Sequence, residues 1–228
     1  MLEAKRSKIW IFRWAAMSLP FLLVILLELL LRFFQLGQNY SLFVEDPERA
    51  GYLVMNPYHS EKYFTQKQNA TVGFFEPFKA RKPDGTFRIF VMGASTAVGF
   101  PYLHNGSFHR MLRHRLEQTY PDTDFEVINL ALTAINSYAL QDMADEVIEQ
   151  QPDAVLIYAG HNEYYGALGV GSSSRLGSFP ALVRLSLQLR EYRLMQLFYD
   201  AYFKLLSLGS SARPDLQENL MKRMVSEQ

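Results

Sequence analysis

Three short polar turns mark where this chain could do chemistry: Gly93-Ala94-Ser95-Thr96, Thr133-Ala134-Ile135-Asn136 and Gly160-His161-Asn162-Glu163. The first follows an apolar run directly, and its serine sits among small residues. A serine so placed is either a nucleophile on display or part of a loop that lets a phosphate approach the backbone. The stretch GASTAVG (93–99) lacks Gly-x-Gly-x-x-Gly, and no acidic residue stands at the end of the next strand. Nucleophile is therefore the better reading than phosphate cradle, with a plain small turn residue as the bland alternative. A serine facing a side-chain amide and a backbone N–H is the arrangement acyl transfer requires, because the developing oxyanion must be met by donors fixed beforehand.

The elements that position these turns follow from periodicity. Phe87 to Met92 predicts a strand. SFHRMLRHRLEQTY repeats Phe108, Met111, Leu112, Arg115 and Leu116 at helical spacing, with Ser107 placed to cap it and Pro121 to end it. Phe125 to Leu132 predicts the next strand. Asn136 or Ser137 can cap a second helix that buries Leu140, Met143, Ala144, Val147 and Ile148 and stops before Pro152. AVLIYAG (154–160) is apolar throughout, as a strand covered on both faces must be. Strand, helix, strand, helix, strand means two crossovers and a parallel sheet, and ligands of such sheets bind beyond the carboxyl ends of the strands. The three turns occupy those ends and are expected to converge on one edge.

Over about residues 87 to 166 the chain resembles the SGNH/GDSL hydrolase superfamily. VMGAST is similar to the family's nucleophile block, with Ser95 as its serine. INLALTAINS aligns Ala134 with the glycine whose N–H completes the oxyanion hole. GHNE matches the third block, with Gly160 and Asn162 in place and Glu163 for aspartate. The resemblance implies an α/β fold, a three-layer parallel sheet of SGNH/flavodoxin-like type, and a serine ester hydrolase or acyltransferase without metal or cofactor. It makes Ser95 the nucleophile, gives the oxyanion to the Ser95 and Ala134 N–H groups and the Asn162 amide, and places Gly93, Thr96, Gly160, His161 and Glu163 around an acyl-ester substrate, lipid or O-acylated glycan. A left-handed backbone at Ala134, where the family has glycine, would be strained by about a kilocalorie or more. The family's Asp-x-x-His, whose histidine is the general base, has no counterpart: the histidines stand at 59, 104, 109, 114 and 161, none of them after an aspartate at that spacing. The expectation is an incomplete domain over 87–228 whose base is supplied from outside it. His161, the variable residue of its block, reads as solvated or hydrogen-bonded rather than as a substitute base. His109 and His114, five apart, are badly placed for shared metal ligation and read as surface residues.

Composition sets the outer limits. With 228 residues, 49% of them apolar, there is enough chain for one domain and an appendage. Twenty-three basic against 23 acidic side chains argue against a nucleic-acid partner, and zero cysteines exclude disulfides and thiol chemistry. The appendage is residues 1–36, a cytoplasmic tip and an anchor. Ile9 to Phe34 is mainly apolar and exceeds the roughly 20 residues a bilayer core requires. Arg13 and Arg32 can snorkel to opposite interfaces, and Glu28 can reach Arg32 one turn later. Lys5, Arg6 and Lys8 precede the span, which predicts a cytoplasmic N-terminus and a periplasmic or otherwise extracytoplasmic remainder. RFFQLGQNY offers no small-residue cleavage site, so an uncleaved single-pass anchor is expected. Residues 37–86 show no period and read as an irregular stalk with a hairpin. The Asn-x-Ser/Thr triplets at Asn39, Asn69 and Asn105 read as unmodified. Beyond a Gly/Ser loop (167–178), residues 180–207 predict one or two amphipathic helices, read first as core helices, with a cap or lid over the site or a helix on the membrane surface as the alternatives. From a different functional class, the rival reading is a non-catalytic module that keeps the fold to bind a glycan or protein or to scaffold a membrane assembly.

Overall fold

The computed structural model describes residues 2–64, 67–163 and 179–209. The chain forms two units, one of residues 38–191 and one of residues 1–37 with 192–228.

The larger unit is mixed α/β. Its parallel sheet has the order β5-β4-β6, from β4 (Thr86–Gly93), β5 (Asp124–Asn129) and β6 (Ala154–Tyr158), with Phe87 opposite Phe125 and Val91 opposite Leu156. The first strand in sequence thus lies in the middle. β4 alternates strictly: Ile89 and Val91 join Phe125, Val127 and Ala97 on one face, while Phe90 and Met92 join Ile128, Leu130 and Met143 on the other. Two-faced burial of this kind needs helices on both sides. α3 (Phe108–Thr119) covers the first face through Phe108 and Leu116, and α4 (Ser137–Glu149) with α5 (Pro180–Arg190) covers the second through Ala139, Leu140, Val147, Val183 and Leu187.

Several expectations are corrected here. Residues 38–86 are no stalk: β1 (Phe43–Glu45), β2 (Tyr52–Met55) and β3 (Phe78–Lys79) form an antiparallel sheet, and Leu42, Phe43, Tyr63 and Phe78 are buried in the same core as Phe90 and Leu130. Carboxylates fasten this segment, since Glu146 accepts the Leu42 N–H at 2.8 and 2.9 Å and Glu76 accepts the Asn129 N–H at 2.8 Å. β6 is not covered on both faces: among the described residues its outer edge is unpaired, and Ile157 is 64% exposed. The 180–207 segment is not one cap. α5 inserts Val183 and Leu187 into the core of the larger unit, whereas α6 (Arg193–Gly209) belongs to the smaller. The Gly/Ser loop at 167–178 and the helical pattern after 209 lie outside the described residues.

A buried polar cluster ties 59–63 to α4 and α5. Lys62 Nζ meets Asp142 at 2.8 Å and Glu191 at 2.6 Å, and the Tyr63 hydroxyl lies 2.9 Å from Asp142. His59, fully buried, contacts the Tyr40 carbonyl through Nδ1 at 2.7 Å and the Tyr63 hydroxyl through Nε2 at 2.8 Å. Burial above all, and then the Lys62 charge, holds its imidazole down to about 4, against the Tyr40 hydrogen bond and the Asp142 charge, which raise it. The folded imidazole therefore takes a proton near pH 4 and the unfolded one near 6.5. Between these values the unfolded chain holds more protons, so the stability His59 contributes is complete above about 6.5 and falls by about 3 kcal/mol as pH drops to 4. Burial raises Glu146, which works in the opposite sense. Unfolding followed from pH 7 to 4 in the parent and in His59→Gln isolates the histidine: the parent is expected to lose stability more steeply across this window, and parallel curves would refute the assignment.

The smaller unit contains α1 (Leu2–Phe33) and α6. Phe12–Phe33 has a mean hydropathy of 2.3 and is long and apolar enough to cross a membrane. Its large apolar side chains are mostly exposed, from Phe12 at 73% to Phe33 at 79%, while Leu31 is buried at 6%. Glu28 accepts from Arg32 Nε at 2.7 Å and from the backbone N–H groups of Arg193 and Leu194 at 3.1 and 2.9 Å, so it satisfies the first donors of α6.

Candidate functional site

The three turns meet at the carboxyl edge of the parallel sheet, and hydrogen bonds join them. Leu132 N–H donates to the Gly93 carbonyl at 3.1 Å, which ties the turn after β5 to the end of β4. Ala94 N–H donates to the Tyr158 carbonyl at 3.3 Å, which ties β4 to β6. Asn162 Nδ2 donates to the Ile135 carbonyl at 3.0 Å, and Glu163 accepts both the N–H and the hydroxyl of Ser137 at 3.0 and 2.7 Å. Glu163 thus caps α4, the task expected of Asn136 or Ser137. Gly93 has a steric reason to be glycine, because a Cβ there would collide with the Tyr158 carbonyl and the Ala97 methyl.

Ser95 opens α2 (Ser95–Val98), a single helical turn closed by Gly99 in the left-handed region at φ 88°. Its side chain is half-buried, Thr96 beside it is exposed, and the Ser95 hydroxyl makes no hydrogen bond among the described residues. The backbone N–H groups of Ser95 and Ala134 are likewise unengaged among the described residues. Asn162 spends one amide proton on Ile135 and, among the described residues, keeps one. Gly160 takes φ 127°, and the exposed His161 sets its ring edge-on to Tyr158 at 5.7 Å.

Ala134 has φ 62°. A side chain in the left-handed region costs about 1–2 kcal/mol, so the surrounding turn holds this backbone against its own preference. Two residues on, Asn136 is 1% exposed, and among the described residues neither its side-chain nitrogen nor its oxygen has a hydrogen-bond partner. Each such group costs about 1–3 kcal/mol while unmet. Ala134→Gly removes the strain and keeps the N–H. We expect it to raise stability by up to about 1 kcal/mol in thermal unfolding, after the added flexibility of the unfolded chain is set against the relief. A clear loss would mean that the alanine methyl has a packing role.

Among the described residues no histidine is seen to accompany Ser95: the imidazoles of His59, His109, His114 and His161 make no hydrogen bond to it. His109 is not the surface residue its position suggests but is 1% exposed. Its Nδ1 lies 2.5 Å from Ser107 Oγ and its Nε2 2.7 Å from Glu76 Oε1, while Asn129 Nδ2 contacts Ser107 Oγ at 3.0 Å. Serine, histidine and glutamate in a row resemble a catalytic relay, but Ser107 is fully buried and bonds to the Ala97 carbonyl at 3.0 Å, which leaves a substrate no approach. This network joins α2, α3, β5 and the segment before β3. The signal for it was the spacing of His109, Leu112 and Leu116, i, i+3 and i+7 on the covered face of α3; Met111, which the apolar repeat placed inside, is 62% exposed.

A groove of about 670 Å³ opens elsewhere, between the segment before β3, α3 and β5, lined among others by Arg49, Glu76, Arg110, Arg113, His114 and Glu126. None of Ser95, Ala134 and Asn162 lines it, and much of its charge is already paired, Glu76 with His109, Arg113 with Glu117 and Glu126 with Arg88. No group of residues able to hold a metal ion occurs among the described residues.

Comparison of the chain with protein-family models, with curated proteins and with solved structures finds no match in any of the three.

Proposed function

We propose that this chain is a membrane-anchored serine ester hydrolase or acyltransferase of the SGNH/GDSL type, with its α/β domain outside the cytoplasm. In this reading α1 crosses the membrane and Ser95 attacks an acyl carbonyl. The backbone N–H groups of Ser95 and Ala134 and the free amide proton of Asn162 meet the oxyanion. Lipid esters and O-acylated glycans both present such a carbonyl. The observation that carries the reading is the set of unspent donors, two backbone N–H groups and an amide, on turns that are bonded to one another beside an unengaged serine hydroxyl. The strain at Ala134 and the unmet amide of Asn136 fall on the same edge, and costs of this kind cluster where a site is held ready for a ligand.

The base is the part this reading must find outside the described residues. A second reading is a non-catalytic module that uses the same edge to bind a glycan or a protein, because among the described residues no histidine stands by Ser95. A charged, membrane-impermeant fluorophosphonate applied to intact cells separates the possibilities. Labelling of the parent but not of Ser95→Ala supports an external serine enzyme. Labelling only after lysis overturns the sidedness, and no labelling in either case leaves the binding module in place of the hydrolase.

A further inference from the structure

We propose that α6 is a second membrane element, an amphipathic helix whose apolar face lies against the acyl chains of the bilayer at the end where α1 leaves it. The inference rests on the reading of α1 as a span and adds a lipid-binding surface to it.

The first observation is where α6 begins. Its opening N–H groups, at Arg193 and Leu194, are accepted by the Glu28 carboxylate, and Glu28 lies within Phe12–Phe33, five residues from its end. At 1.5 Å per residue that is about 7.5 Å inside the apolar helix, roughly the depth at which interfacial helices lie. A helix that starts on such a residue starts at the membrane.

The second observation is the face α6 presents. Leu197, Phe198, Ala201, Tyr202 and Leu205 follow one another at helical spacing in one stripe, and the four large side chains among them are 43, 62, 60 and 74% exposed. Arg193, Gln196, Asp200 and Lys204, at i, i+3, i+7 and i+11, form the polar stripe. In water an apolar stripe of this length is costly, and soluble surfaces seldom show one. On α1, near Glu28, Leu29, Leu30 and Phe33 are bare at 58%, 43% and 79% exposure, while Leu31 is buried. Both apolar surfaces thus belong to one compact unit, and a single apolar solvent can cover both. Tyr202, with an apolar ring and a polar tip, suits the interface.

The chain has no cysteine, so single introduced thiols can carry a bimane fluorophore without further changes. The full 228-residue chain is placed in phosphatidylcholine vesicles with Leu22→Cys, Phe198→Cys, Lys204→Cys or Leu205→Cys. Each is read in ordinary and in chain-brominated lipid, and with iodide in the water. Expected is loss of most of the fluorescence in brominated lipid at 22, 198 and 205, with little iodide quenching, and the reverse pattern at 204. If 22 is quenched by brominated lipid while 198 and 205 are not, the apolar face of α6 is turned to protein or to water and the inference fails while the span stands. If 22 is not quenched either, the reading of α1 as a span fails, and the inference with it.

Discussion

Ser95→Ala should abolish covalent labelling by a fluorophosphonate, and Asn162→Ala should lower turnover of an activated ester about a hundredfold or more with little change in KM. In the proposed mechanism the serine supplies the bond-forming oxygen, so its loss would leave nothing to label. The asparagine acts differently. In the proposed mechanism its second amide proton would face charge that exists only in the transition state, and loss of one such donor costs about 10²–10³ in kcat, or roughly 3–4 kcal/mol. Asn162 also holds the Ile135 carbonyl at 3.0 Å, a bond worth about 1 kcal/mol of stability. The two roles separate on measurement: a stability role shifts thermal unfolding by a few degrees and leaves kcat of the folded fraction unchanged, whereas a donor role lowers kcat in protein that remains folded. Turnover by Asn162→Ala within threefold of the parent would remove the amide from the mechanism. Absence of labelling in the parent would remove Ser95.

The largest expected effect on stability is at Arg88. Its guanidinium is fully buried, with Nε on Glu126 at 2.7 Å, one terminal nitrogen on the Gln150 carbonyl at 2.8 Å, the other on the Lys79 carbonyl at 2.7 Å, and the Phe78 ring centre 5.0 Å away. One side chain in the middle strand thus joins β5, the end of α4 and the antiparallel sheet. Truncation leaves a carboxylate and two carbonyls unmet, and the removal of one member of a buried pair costs about 3–5 kcal/mol. Arg88→Ala is therefore expected to lose that much in chemical unfolding, a large part of the 5–15 kcal/mol typical of a domain. Arg88→Met, which refills the volume without donors, should recover little. Arg113→Ala, from a pair on the surface of α3 in which both side chains are about half exposed, should cost under about 1 kcal/mol. A loss below about 1 kcal/mol at Arg88 would show that the core absorbs the vacancy.

The two sets of residues differ in how far they could be read along the chain. The turns with Ser95, Ala134 and Asn162 were legible because each follows a strand whose apolar run is local, and a parallel sheet leaves them only one edge to share. The left-handed backbone at Ala134 was expected only through the resemblance, which aligns it with a glycine. Arg88, His59, Lys62 and His109 were not legible. A charged or polar residue reads as solvated until its partner is known, and these partners are far off in sequence: Glu126 is 38 residues from Arg88, Glu191 is 129 from Lys62, and Glu76 is 33 from His109.

The sequence alone was enough for the parallel strands, the helices between them and the length of the apolar N-terminal helix, because periods of 2 and 3.6 and the stop signals at Pro121 and Pro152 act over a few neighbouring residues. Only the tertiary structure decided the fate of residues 38–86. Their strands are two to four residues long, too short to show a period, and they exist because Glu76, Glu146 and the face of Phe90 give them something to pack against. It also divided 180–209, where one continuous apolar spacing goes to two destinations, Val183 and Leu187 into the α/β core and α6 to the unit of the apolar helix. Spacing determines which face of a helix avoids water; what covers that face depends on elements far away in the chain, and no local pattern records them.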